Sequence, residues 1–246
     1  MIQHKERRAQ QEPETCTWVT REDGVRNFLA PHRQPDDTSN RFVCIHGIPG
    51  AGKTVLASYV IEIAAANCKA HGYAYYYCLY SREQDETIPF LKWILRQLCW
   101  QTDKMVPSKI KEADDKSDGI SKEDLLDCLE QVSSHYENGV YIVIDAVDES
   151  KPRDNLVKVL TEIGTADRFW KVSLLFTCRE ENDIMMPINR LGKSCTRISM
   201  SNPNVREDVK RYVHNQLIAV HAFSKYFDAA VLAEVENQLT QKAKGM

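Results

Sequence analysis

Residues 41 to 63 read RFVCIH, GIPGAGKT and VLASYVIEI in unbroken succession. The first run is apolar on both faces of an extended chain, the sign of a strand covered on both sides. The last carries Val55, Leu56, Tyr59, Val60 and Ile63 at helical spacing. Between them, Gly47, Ile48, Pro49, Gly50, Ala51, Gly52, Lys53 and Thr54 match G-x-x-x-x-G-K-[ST] at every fixed position. The glycines let successive backbone N–H groups turn inward around an anion, where a Cβ would intrude. Lys53 is expected to reach the β and γ phosphates of a nucleotide, and the Thr54 hydroxyl to bind Mg²⁺. The helix that runs on through Val55 adds the positive end of its dipole. Such a loop needs a buried strand before it and a helix after it, so this stretch commits the chain to an α/β fold.

The rest of the chain repeats the alternation. YAYYYCLY (73–80), VYIVI (140–144), KVSLLFT (171–177) and TRISM (196–200) read as further strands. Helices are expected from Thr54 to Cys68, over Ile88 to Leu98, from Ser121 onward, beyond Pro152 and from Asn202-Pro203. Ser121 with Asp124 resembles a capping box, and Gly164 reads as the stop of the helix that starts near Pro152. Residues 101–120 read as a solvated connection. Two-faced apolar strands separated by amphipathic helices predict a parallel sheet covered on both sides, a three-layer αβα sandwich. Residues 1–40 form a polar, proline-containing lead with one apolar cluster, CTWVTREDGVRNFL; 41–220 form the nucleotide-binding core; 221–246 begin a further helical segment.

The charge balance narrows the partners. With 32 basic and 35 acidic side chains closely interspersed, net −3, there is no basic stripe, and nucleic acid is not an expected partner. None of the 8 cysteines forms a Cys-x-x-Cys pair, and Cys44, Cys78 and Cys178 lie inside apolar runs. They read as buried reduced thiols rather than a disulfide or zinc framework. The N-terminus has no apolar signal-peptide core, no run approaches the ~18 apolar residues of a membrane span, and no Asn-x-Ser/Thr sequon occurs. A reducing compartment, the cytoplasm, is the expected location, with no membrane partner.

A phosphate cradle alone hydrolyses nothing; a carboxylate on a neighbouring strand must support the metal and a base must orient water. VYIVIDAVDES supplies both types of group. Asp145 stands at the carboxyl end of a strand, the side on which the glycine loop also lies, and is the expected metal ligand beside Thr54. Asp148 and Glu149 follow. Three carboxylates within five residues repel one another unless a cation compensates; the alternative is that Asp148 and Glu149 are solvated acids capping the next helix. Arg179, at the tip of KVSLLFT, is a cation placed to sense or stabilise a terminal phosphate, or else a surface ion-pair partner. His46, directly before the loop, is placed to touch nucleotide or simply to end its strand, the second being the favoured reading.

Together these residues resemble the NACHT branch of the STAND NTPases, and most of all the nephrocystin-type NTPase domains of fungal NOD-like receptors, over nearly the whole chain. GIPGAGKT resembles the Walker A motif of that family and VIDAVDES its Walker B, with small Ala146 after the metal aspartate and the acidic pair Asp148 and Glu149 beyond. LLFTCRE is similar to the sensor 1 strand, which would give Arg179 the sensor role; TCTW (15–18) is similar to the segment near the adenine. VREDVKRYVHNQL resembles the segment after the fifth strand, and KAKGM the start of one that continues into a winged helix and a repeat-containing sensor. The resemblance implies a P-loop NTPase sheet of order 5-1-4-3-2. It implies ATP or ADP with Mg²⁺ as ligands, and weak ATPase activity carried by Glu149, Asp148 and Arg179. It implies a switch that self-associates or moves appended repeat or effector domains in a full-length relative. The alternative is a nucleotide-binding scaffold without hydrolysis, acting as an interaction module. A P-loop kinase is disfavoured because no arginine-rich lid is seen. A GTPase is disfavoured because no [NT]-K-x-D follows residue 149; SKED (121–124) starts with Ser and precedes it.

Overall fold

Five apolar runs become five strands: β1 Phe42–His46, β2 Gly72–Tyr77, β3 Val140–Asp145, β4 Val172–Cys178 and β5 Thr196–Ser199. The computed structural model describes residues 2–30, 41–66, 71–102, 106–114, 119–219 and 228–243. All five strands pair in parallel, in the order β2-β3-β4-β1-β5, which is the expected order read from the other edge. β3 and β4 are buried at every residue, as their two-faced apolar sequences require. The strand expected over 73–80 stops at Tyr77. Cys78 N–H still donates to Asp145 O at 3.0 Å, but β3 ends there, and 80–82 wind into a 3₁₀ turn.

The helices are α1 Ile2–Ala9, α2 Asp23–Phe28, α3 Lys53–Ala66, α4 Thr87–Gln101, α5 Ser108–Asp114, α6 Lys122–Ser134, α7 Asp154–Thr165, α8 Asn182–Arg190, α9 Pro203–Ala219 and α10 Ala229–Ala243. Cys68, the expected end of α3, lies outside the described residues. The expected connection over 101–120 contains α5, whose Ile110 packs against the core. Ser121 caps α6 as expected: its Oγ accepts from Asp124 N–H at 3.1 Å and donates to Asp124 Oδ2 at 2.7 Å.

Alternate strand residues separate into two cores. Phe42, Cys44, Ala74, Ile142, Leu174 and Phe176 face α4, α6 and α7. Val43, Ile45, Tyr141, Val143, Leu175 and Ile198 face α3 and the lead segment, whose Trp18, Val19, Val25 and Phe28 complete that layer. α1 docks on α3 and β2 through His4, whose Nε2 is hydrogen-bonded to Glu62 Oε1 at 2.7 Å and whose Nδ1 is hydrogen-bonded to the Tyr77 hydroxyl at 2.9 Å. The seven described cysteines are buried thiols. No helix among the described residues is long and apolar enough to cross a membrane.

Gly164 does not stop α7; it lies inside the helix. A Cβ there would come within 2.4 Å of the Phe42 ring, so glycine lets α7 lie close on β1. The end of α7 is tied down by Arg41 instead. Its guanidinium donates to the carbonyls of Ile163 and Ala166, which the end of α7 leaves unpaired, and to those of Phe169 and Val172 beyond it, at 2.7–3.1 Å.

The outer edge of β2 is closed by side chains. Gln97 and Gln101, one turn apart on α4, each accept a β2 N–H and donate to a β2 carbonyl: Gln97 at Tyr75 (3.3 and 2.8 Å) and Gln101 at Tyr73 (3.2 and 2.7 Å). The two amides occupy the positions that another strand would fill.

Candidate functional site at the carboxyl edge of the sheet

β1 ends at His46, whose Nδ1 donates to Glu180 at 2.8 Å, and the chain turns into the glycine loop. Gly50 and Gly52 adopt φ of +80° and +84°, a conformation other residues rarely take, which bends the loop around the start of α3. A space of about 270 Å³ opens there. Its walls are Pro49 through Val55 of the loop and α3, Asp145, Ala146, Asp148 and Glu149 after β3, and Thr177 and Arg179 at the tip of β4. Gly47 backs onto Met200, and Ile48 is exposed on the outside of the loop; neither lines the space.

Half-buried Lys53 donates from Nζ to the carbonyls of Gly47 and Ile48, both at 2.8 Å. Burial lowers the pKa of its ammonium, against the opposing pull of Asp148 and Asp145.

The carboxylates that would repel one another are each held by a different partner. Asp145 is 3% exposed, and burial raises its pKa. Hydrogen bonds from the hydroxyls of Thr177 (2.5 Å) and Thr54 oppose that shift. Ala146 then takes φ +59°, where a small side chain is least strained, and donates its N–H to Thr177 Oγ1 at 2.9 Å. This reverses the chain into a 3₁₀ turn at Val147–Glu149. Asp148, also buried, accepts from Arg179 at both oxygens: the backbone N–H at 2.9 Å and Nε at 3.0 Å. Arg153 donates to Asp148 O at 2.7 Å and pairs with Glu181 and Asp183, so a second cation stands behind the turn. Glu149 accepts at Oε2 from Tyr80 N–H at 2.9 Å. Arg153 stands at the N-cap position of α7, so neither Asp148 nor Glu149 caps that helix.

Arg179 lines the space and pairs with Asp148, so the ion-pair partner its position allowed is present. Thr177 and the Tyr80 N–H escaped sequence reasoning. Thr177 reaches Asp145 because the register sets Ile144 beside Phe176, a relation that appears only once β4 is placed next to β3.

A second concavity of about 450 Å³ adjoins Gly50–Gly52 on the other side of the loop. The TCTW segment contributes Thr15, Cys16 and Trp18 to it, and α9 contributes Val205 and Asp208. Asp208 Oδ2 accepts from Cys16 N–H at 2.8 Å and Trp18 Nε1 at 3.0 Å, tying the lead segment to α9. A larger apolar cleft of about 710 Å³ between α4, α5 and α6 includes none of the motif residues.

The family described as Nephrocystin 3, N-terminal matches residues 14–179, from just before TCTW to Arg179. The chain belongs to the Nephrocystin 3, N-terminal family. The match takes in both the glycine loop and the β3 tip. Among solved structures, Cdc6p from Pyrobaculum aerophilum is similar with a TM-score of 0.53 at 15% identity, over 83% of this chain and 48% of that one. The Aeropyrum pernix ORC2 protein, solved as ADPNP-ADP complexes, is similar with a TM-score of 0.51 at 16% identity, over 85% and 53%. Identities this low carry the fold alone, and that fold is the P-loop NTPase sandwich. This Nephrocystin 3, N-terminal family chain spans about half the length of those structures. No curated protein matches it.

Proposed function

We propose that the chain binds ATP and ADP with Mg²⁺ and hydrolyses ATP slowly, as the nucleotide-dependent core of a NACHT-type STAND switch. The observation that carries this reading is the convergence of Lys53, Thr54, Asp145, Glu149 and Arg179 on one space bounded by a glycine loop. The residues present fit Mg-triphosphate. The loop bends at two positive-φ glycines, a half-buried ammonium lines the space, and Thr54 and Asp145 are the hard oxygen donors Mg²⁺ prefers.

In this reading Lys53 and the loop amides hold the β and γ phosphates, and Thr54 and Asp145 hold Mg²⁺ directly or through its water. Bound Mg²⁺ would neutralise phosphate charge. Glu149 takes the proton of the attacking water. Arg179 stabilises charge on the terminal phosphate, and Asp148 acts by holding Arg179 in place. Thr15, Cys16 and Trp18 line the adenosine side. The nucleotide complexes named for Aeropyrum pernix ORC2, on the same fold, support the binding of a nucleotide. Switching requires that ATP and ADP favour different arrangements of whatever is appended to the core, since a ligand shifts an equilibrium only through unequal affinity for its states.

A second reading, a nucleotide-binding scaffold, draws support from the acids themselves: Asp148 and Glu149 are already hydrogen-bonded. Phosphate release from ATP with Mg²⁺ separates the two. Glu149→Gln should lower turnover by about 10²-fold or more, the range of a lost general base, while retaining ATP affinity. Wild-type turnover no faster than that of Glu149→Gln would favour the scaffold.

A further inference from the structure

Glu149 is held by an element that no motif announces. Tyr80, whose N–H binds its Oε2, opens the 3₁₀ turn Tyr80–Arg82 in the connection from β2 to α4. That connection is stitched along its length to the segment around Glu149. Lys151 N–H donates to Gln84 O at 3.0 Å, Glu86 N–H to Ser150 Oγ at 3.1 Å, and Asn155 Nδ2 to Asp85 Oδ2 at 2.8 Å. The Lys151 ammonium lies 3.8 Å over the Tyr80 ring. Tyr80 is 58% exposed, yet the residue is held from both sides: its backbone follows the extended Leu79 beyond β2, and its ring meets the lysine two residues beyond Glu149.

We propose that Tyr80 is a positioning residue for Glu149. Its N–H anchors Oε2 and leaves Oε1 to take a proton from water, and the Lys151 stack keeps that N–H in place. The inference rests on the reading of Glu149 as the base. A carboxylate anchored at one oxygen loses the rotations that would swing it out of reach of a bound water, and base catalysis depends on that reach.

Proline at position 80 deletes the N–H together with the ring, with little change to the backbone path. Tyr80 is the first residue of its turn, where proline is tolerated, and Leu79 at φ −131° and ψ 120° already has the conformation that precedes proline. Alanine deletes the ring and keeps the N–H. ATP turnover and ATP affinity are to be measured for wild type, Tyr80→Pro, Tyr80→Ala, Lys151→Ala and Glu149→Gln. The expected result is a kcat for Tyr80→Pro about 10- to 100-fold below that of Tyr80→Ala, within the span of general-base catalysis, at equal Kd. Lys151→Ala, which loses the same stack as Tyr80→Ala and keeps the N–H, should turn over like Tyr80→Ala. If Tyr80→Pro and Tyr80→Ala turn over alike while Glu149→Gln is slow, the inference is overturned and the base reading stands. If Glu149→Gln matches wild type, the base reading fails and takes the inference with it. Should Tyr80→Pro not fold, hydrogen exchange at the Tyr80 amide decides: several-fold faster exchange in Glu149→Ala supports the contact, and an equal rate overturns it.

Discussion

At the scale of single residues, the tip of β3 solves a charge problem by giving each acid its own partner. Threonine hydroxyls hold Asp145, a guanidinium holds Asp148 and a backbone amide holds Glu149. Thr177 is the partner most open to test. Valine there keeps the shape and removes both the bond to Asp145 and the acceptor for Ala146 N–H. Groups that orient a metal ligand are commonly worth 10- to 100-fold in metal affinity. Thr177→Val should therefore raise the Mg²⁺ concentration needed for tight ATP binding by about tenfold or more, as read by a Mg²⁺ titration of nucleotide affinity. Asp208 behaves differently. Burial raises its pKa despite the two N–H groups it accepts. A carboxyl whose folded pKa lies above its unfolded one contributes stability below the unfolded value and loses it as pH rises through the folded value. Asp208→Asn, neutral with an acceptor oxygen retained, should melt above wild type at neutral pH. The gap should close below the ordinary aspartate range, ~4; melting scans across pH check this.

Among the elements, the strands were the most legible part, while their order was implied by the family resemblance and not by the strands' own sequences. β1, β3 and β4 are apolar on both faces because both faces are covered, and no other arrangement reconciles such runs with amphipathic helices between them. The Ser121 cap was legible because its partner is three residues away. Gly164 was misread because a helix-ending glycine and one that admits a neighbour look alike until Phe42 is placed against it. α5 was missed because its seven-residue sequence, SKIKEAD, is mostly polar and shows no helical apolar periodicity. The glutamine clasp on β2 was illegible for the same reason as Thr177: it depends on which elements become neighbours. Its consequence is testable. Gln97→Ala with Gln101→Ala removes four hydrogen bonds and bares the Tyr73 and Tyr75 backbone. An open parallel-sheet edge recruits other chains. Sedimentation should find the double variant self-associating at concentrations where the wild type does not.

For the whole molecule, the parallel sheet gathers the chemistry at one edge. Every strand delivers its carboxyl end to the same side, so residues as far apart as Lys53, Asp145 and Arg179 meet around one space. The family match, ending at Arg179, spans the motifs that meet there. The part of the space's lining that local motifs encode, Gly50 to Thr54 and Asp145, was legible; the residues that hold the acids there, Thr177, Tyr80 and Arg153, were not, because their contacts cross between elements. The central claim is that this edge binds nucleotide through Lys53. The direct measurement is the Kd of labelled ATP with Mg²⁺ for wild type and Lys53→Ala. The account predicts saturable binding by the wild type and a loss of about 100-fold or more in Lys53→Ala, about 2.7 kcal/mol, with both proteins folded. Equal affinity in the two would contradict it.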